Sequence, residues 1–244
     1  AVQKKGPVHI NVPFEEPLYD MVEMLSVSPK ISVITEPSRS FELSDAVASV
    51  WNKSVKKLIL VGELFPNTIE EKIVNFLAED PSVVVFTEKT SNLHHSSFVS
   101  NIDTIITPFT TEDFEKFQPE LLVTFGGMVV SKRIKAFLRK FQPQNHWHID
   151  PLRAYDTYGC LTNHFTVSPK LFFNGLIKKA VSKESTYKAE IVQIQKQRTQ
   201  KHQEYVNTIP FSDFKVFDVL SQKLAGKMQL QVSNSSAIRY LQLV

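Results

Sequence analysis

Between Leu121 and Phe141, in LLVTFGGMVVSKRIKAFLRKF, the apolar residues change period once. Leu121, Leu122, Val123 and Phe125 form a short continuous run, the pattern of a buried strand, and Gly126-Gly127 ends it. From Ile134 the spacing turns helical, through Phe137, Leu138 and Phe141. Buried strand, glycine turn and amphipathic helix in direct succession are the repeating unit of a parallel α/β sheet. Ser131 is the natural N-cap of this helix, so Lys132 and Arg133 occupy its first turn, where free backbone N–H groups already carry positive charge. A like-signed charge costs about 0.3–1 kcal/mol at such an end. Keeping two of them there points to a bound anion, the alternative being that both side chains reach into solvent.

The same unit recurs along the chain. Ser44 and Asp45 cap a helix carrying Ala46, Val47, Val50 and Trp51, before a buried strand over 57–63. Asn67-x-x-Glu70 resembles a capping box for a helix with Ile69, Ile73, Phe76 and Leu77. Strands are predicted over 82–88 and 102–106, and Thr110-x-x-Asp113 opens a short helix limited by Pro119. After the central unit, strands are expected over 147–149 and 165–167. Strands separated by helix-length crossovers predict an α/β fold, a doubly wound, Rossmann-like parallel sheet with helices on both faces, over residues 30–182.

The flanks read differently. In residues 1–20, Val8, Ile10 and Val12 alternate as a short strand closed by Pro13 and Pro17, which has nothing local to pair with. These residues are expected to be the tail of a preceding domain, followed by a linker over 21–29. Residues 183–205 are rich in Lys and Gln and predict a solvated connecting helix. Ser212 and Asp213 start a helix with Phe214, Phe217, Leu220 and Leu224 along one side, ended by Gly226. A strand over 228–232 then runs into Asn234-Ser235-Ser236 and a helix carrying Arg239. Both ends are abrupt and the chain lacks an initiator Met, so a piece of a longer protein is expected.

Composition removes several classes. An apolar fraction of 42% with 11% aromatic residues is that of a globular chain. The longest apolar runs are far shorter than a membrane span, and the first residues have no secretory h-region. One cysteine, Cys160, excludes intrachain disulfides and cysteine-based zinc sites and fits a reducing compartment such as the cytoplasm. A net charge of +3 over 244 residues does not imply nucleic acid, and Glu184, Glu190 and Glu204 interrupt the basic residues of 183–205.

Ligands of open parallel sheets sit beyond the carboxyl ends of the strands. Two strand-to-helix junctions carry matched features. Gly126-Gly127 precede Lys132 and Arg133, and Ser235 stands four residues before Arg239, on one helical face. Both suit carboxylates or phosphates, though Ser235 reads equally well as a plain N-cap. The seven glycines spell no G-x-G-x-x-G or P-loop pattern. His146 and His148 share one side of a strand but lack an acidic partner except Asp150, and His94-His95 stand alone. These histidines read as structural.

The segments GPVHINVPFEEPLY (6–19), FGGMVVSKR (125–133), HWHID (146–150) and SNSSAIR (233–239), in this order, resemble the 2-succinyl-5-enolpyruvyl-6-hydroxy-3-cyclohexene-1-carboxylate synthase family, thiamine-diphosphate enzymes of menaquinone biosynthesis. The resemblance covers essentially the whole chain. It implies that residues 1–20 are the tail of a pyrimidine-binding domain, 30–182 a complete central domain and 183–244 a connecting helix with the start of a diphosphate-binding domain. It further implies a transferase joining isochorismate to the unit left when 2-oxoglutarate loses CO2. Lys132, Arg133, Ser235 and Arg239 would bind substrate carboxylates, with Gly126 and Gly127 as the supporting turn.

The cofactor-activating glutamate and the Gly-Asp-Gly metal motif of that family have no counterpart in this sequence. Thiamine diphosphate and Mg2+, together with a homodimer or homotetramer, are therefore expected of the parent enzyme, and no turnover of this piece alone. The competing reading is a free-standing nucleotide- or sugar-phosphate-binding module centred on Gly126-Gly127.

Overall fold

In this computed structural model the described residues are 6–13, 21, 23–24, 27–30, 40–224 and 228–244. The chain divides into two units, 1–40 and 41–244. The second contains α1 (Asp45–Lys53), β1 (Lys57–Val61), α2 (Glu71–Glu79), β2 (Val83–Phe86), a 3-10 turn (Lys89–Ser91), α3 (Ile102–Ile106) and α4 (Thr111–Phe117). Then follow β3 (Leu121–Phe125), α5 (Lys132–Lys140), β4 (Asn145–Ile149), β5 (Asn163–Phe165), α6 (Pro169–Ile177), α7 (Tyr187–Thr208), α8 (Asp213–Lys223) and α9 (Ser236–Leu241).

The five strands are all parallel in the order β2-β1-β3-β4-β5. Side chains alternate across a strand, and this alternation divides the core in two. Ile59, Val61, Val83, Val85, Leu121, Val123, Phe125, Trp147 and Ile149 pack under α1, α2 and α6. Leu58, Leu60, Val84, Phe86 and Leu122 pack on the other face under α3, α4, α5 and α7. Because both faces are covered, β1, β2 and β3 are buried at every position, hence their near-continuous apolar sequence, interrupted by Lys57 and Thr124. This is the doubly wound α/β fold that the alternation predicts.

Several elements differ from expectation. Ile102–Ile106 is a helix: Ile102, Ile105 and Ile106, the buried residues, have helical spacing, and Thr107 N–H donates to Asp103 O at 3.0 Å. The helix expected at Asn67 starts at Glu71. Asn67 instead adopts φ 61°, and Glu70 makes no side-chain cap, its carboxylate meeting Lys170 and Lys72. The last strand lies at Asn163–Phe165, two residues early, where Thr162 N–H to His146 O starts its pairing with β4. Among the described residues, 228–232 form no strand, with Met228 and Leu230 exposed, and Val8, Ile10 and Val12 are exposed with no strand pairing. Gly226 lies outside the described residues, as do 14–20.

The polar stretch after residue 183 is not merely a solvated connector. Tyr187 and Ile191 of α7 are buried, Tyr187 Oη donates to Phe117 O at 3.0 Å, and its ring stacks on Phe117 at 5.4 Å. Lys188 Nζ donates to Ala78 O at 2.6 Å at the end of α2, a cation on a helix C-terminus.

Candidate functional site

The turn after β3 is built by backbone alone. Gly126 takes φ 83°, a conformation that disfavours a side chain, and Gly127 N–H donates to Glu63 O at 2.7 Å. Gly62 N–H donates to Phe125 O at 2.8 Å, so the β1–β3 pairing continues past both strands. In a 2-1-3-4-5 sheet the ligand crevice lies between β1 and β3. Here the two loops close it by direct contact, leaving a cavity of about 190 Å³ beside it, lined by Gly126, Gly127, Lys135, His148 and Arg153.

A larger cavity, about 500 Å³, opens at the start of α5. Lys132, Arg133 and Arg239 line it together, three exposed cations delivered by α5 and α9. Among the described residues no carboxylate lies within ion-pair distance of any of the three. Ser131 caps α5 as the sequence predicts, its Oγ accepting from Ile134 N–H at 3.2 Å while donating to Asp103. Ser235 precedes α9 with φ 75° and makes no side-chain cap, and it is not among the residues lining the cavity. Positive φ on a non-glycine residue costs about 1–3 kcal/mol, and such strain clusters at functional sites.

Two carboxylates that the sequence reading passed over share this cavity. Glu88, buried at the tip of β2, accepts from Val130 N–H and Ser131 N–H at 2.7 Å each. Burial raises its pKa, the two N–H bonds oppose the rise, and Asp103 reinforces it. The Val130 and Ser131 N–H groups before α5 are thus met by an internal anion, while Lys132 and Arg133 are exposed. The signal available in sequence was position alone, an acidic residue at the carboxyl end of a buried strand. Asp103 was hidden by the helix read as a strand.

Elsewhere, Thr124 Oγ1 joins His146 Nε2 at 2.9 Å and His148 Nδ1 at 2.8 Å, so both rings lie on one side of β4. Burial lowers the pKa of both, His146 to about 4, assisted there by the His148 charge. They are held as a structural pair.

Among the described residues no group of three or more His, Cys, Asp or Glu could hold a metal ion. Glu88, their one buried glutamate, has both oxygens engaged by backbone. No helix among them is long and apolar enough to cross a membrane.

Comparison with known proteins agrees with this architecture. The chain is 58% identical over 243 residues to the 2-succinyl-5-enolpyruvyl-6-hydroxy-3-cyclohexene-1-carboxylate synthase of Flavobacterium psychrophilum, covering 100% of this chain and 44% of that protein. Synthases of the same name from Flavobacterium johnsoniae and Christiangramia forsetii are 52% and 44% identical over 247 and 250 residues, with 100% of this chain covered in each case and 45% and 43% of the relatives. The chain therefore spans less than half the length of these curated relatives. Residues 34–232, the whole doubly wound unit together with α7 and α8, match the family described as the middle domain of thiamine pyrophosphate, and it is to this thiamine-pyrophosphate middle-domain family that the chain belongs.

Proposed function

We propose that this chain supplies the anion-gripping wall of a 2-succinyl-5-enolpyruvyl-6-hydroxy-3-cyclohexene-1-carboxylate synthase. In this reading Lys132, Arg133, Ser235 and Arg239 bind carboxylates of isochorismate and 2-oxoglutarate, Ser235 from the residue that precedes α9. The observation that carries it is the convergence of three cations from distant segments on one cavity of about 500 Å³. Preorganised cations hold multiply charged acids in place and stabilise charge developing on them, and they need take no part in proton transfer. The whole protein is a cytoplasmic transferase that uses thiamine diphosphate with Mg2+ and assembles as a homodimer or homotetramer. Among the described residues no group of three or more His, Cys, Asp or Glu could hold a metal ion, so no step through the cofactor is assigned to them.

Alanine at Lys132, Arg133 or Arg239 in the whole protein should raise KM for an acidic substrate by about tenfold or more. Lys140, at the far end of α5, serves as the control. Wild-type KM values in all three variants would sink the reading.

The alternative module for a nucleotide or sugar phosphate draws on the cavity beside Gly126-Gly127. Its volume of about 190 Å³ falls below the 300–1,000 Å³ or so of typical ligand pockets, and the Gly62–Gly127 contact shuts the crevice itself. Calorimetric titration with ADP, FAD and NAD separates the two readings, since saturable tight binding favours the module.

A further inference from the structure

Lys132 and Arg133 reach the cavity from α5, and Arg239 reaches it from α9. A site shared between two such segments needs something to set their spacing, and both are tied to the same dipeptide after β2. Glu88 accepts from Val130 and Ser131 N–H at 2.7 Å each, and the next residue, Lys89, donates its N–H to Gln242 Oε1 at 2.8 Å. The dipeptide is itself anchored to the sheet. Glu88 N–H donates to Ser91 Oγ at 2.9 Å, and that hydroxyl donates to Val61 O at 2.8 Å at the tip of β1.

A buried carboxylate beside a site for anions is electrostatically adverse. Its charge repels the ligand and its burial costs solvation. Both oxygens of Glu88 are engaged by backbone N–H groups, and none of the cavity's three cations lies within ion-pair distance of it. We infer that Glu88 is a positioning residue for the anion site, holding residues 130–133 so that Lys132 and Arg133 face Arg239. This rests on the anion-binding reading above, and it makes a prediction of opposite sign to a simple charge effect. Removing a negative charge near three cations should tighten anion binding if charge is what matters, and should loosen it if the geometry does.

The experiment titrates the 244-residue chain with sulfate, a compact dianion, and follows backbone amides by NMR in wild type, Glu88→Gln and Glu88→Asp. Glutamine turns one acceptor into a donor facing an N–H, and aspartate keeps the charge but loses a methylene of reach. Both variants should shift the Val130 and Ser131 amide resonances and weaken sulfate about tenfold, measured on the folded population. The aspartate variant, with its charge intact, carries the test if glutamine disturbs folding. Unchanged or tighter binding in either variant overturns the positioning role alone. Wild type showing no saturable sulfate shifts around Lys132, Arg133 and Arg239 overturns the anion reading, and this inference with it.

Discussion

A methyl group on Gly62 would stand 2.0 Å from the carbonyl oxygen of Gly127. The contact is backbone against backbone between the tips of β1 and β3, so no flexible side chain can yield. Gly62→Ala must force apart strands that are paired on either side, and should destabilise the chain by about 3 kcal/mol, the upper range for overpacking. Gly175 is the control: inside α6, its added methyl would meet only the Phe41 and Leu43 side chains at 3.4 Å and beyond. Gly175→Ala should be neutral or stabilising by up to about 1 kcal/mol. Urea denaturation of both variants checks the pair.

Lys57 is wholly buried at the start of β1, with Asp80 Oδ2 3.5 Å from its Nζ, Ser82 Oγ in hydrogen-bond contact and the Trp51 ring 5.0 Å away. Burial lowers the ammonium pKa, and Asp80 opposes that shift. Asp80→Asn leaves the ammonium without its counter-charge and should cost about 3–5 kcal/mol. Lys57→Met fills a similar volume but strands the buried Asp80 carboxylate with Ser82 alone beside it, and should also destabilise by about 3 kcal/mol. Combining it with Asp80→Asn should recover most of the loss, a non-additivity that a double-mutant cycle in urea measures.

How much of this was legible in the sequence depends on where each residue finds its partner. The run Leu121–Phe125 and the helix from Ile134 declare themselves because burial on both sheet faces, or on one helix face, imprints a period on neighbouring residues. Ile102–Ile106 failed because five residues are too few to separate an i, i+3, i+4 pattern from a strand when the flanking Asn101 and Thr107 give no clear punctuation. Lys132 and Arg133 were readable as locally mismatched charges, whereas their meeting with Arg239 rests on α9 docking through Gln242. Glu88 was marked by its position alone: its partners are the N–H groups of Val130 and Ser131, which have no side-chain signature and lie 42 and 43 residues away.

His146 should make the fold acid-sensitive. Its folded pKa, about 4 against 6.5 for the free side chain, is depressed chiefly by burial, then by the His148 charge, with Asp156 opposing. Between those values the unfolded chain binds more protons than the folded one, so stability is complete above pH 6.5 and falls as pH drops toward 4. The loss from this one group amounts to about 3 kcal/mol by its lower limit, given about 1.4 kcal/mol per pKa unit. His146→Phe should flatten the urea-derived stability curve across that window. A curve as steep as wild type would mean that another group controls the acid limb.

The docking of α9 makes the last prediction. Gln242 Oε1 accepts from Lys89 N–H at 2.8 Å, while its buried Nε2 has no partner among the described residues, so a single hydrogen bond to them holds the side chain. Gln242→Ala leaves the Lys89 amide unpaired beside the cavity, a loss of about 1–3 kcal/mol that falls on the junction of α9 rather than on the sheet. Amides of α9 should exchange with solvent about tenfold faster or more, and those of β1 and β3 at the wild-type rate. Sulfate affinity should fall because Arg239 loses its fixed distance from Lys132 and Arg133, yet the Val130 and Ser131 resonances should stay in place, since Glu88 still holds them. Glu88→Gln and Gln242→Ala then act on opposite walls of one cavity. If α9 exchanges at the wild-type rate and sulfate binds as tightly, the Lys89–Gln242 bond does not fix that wall.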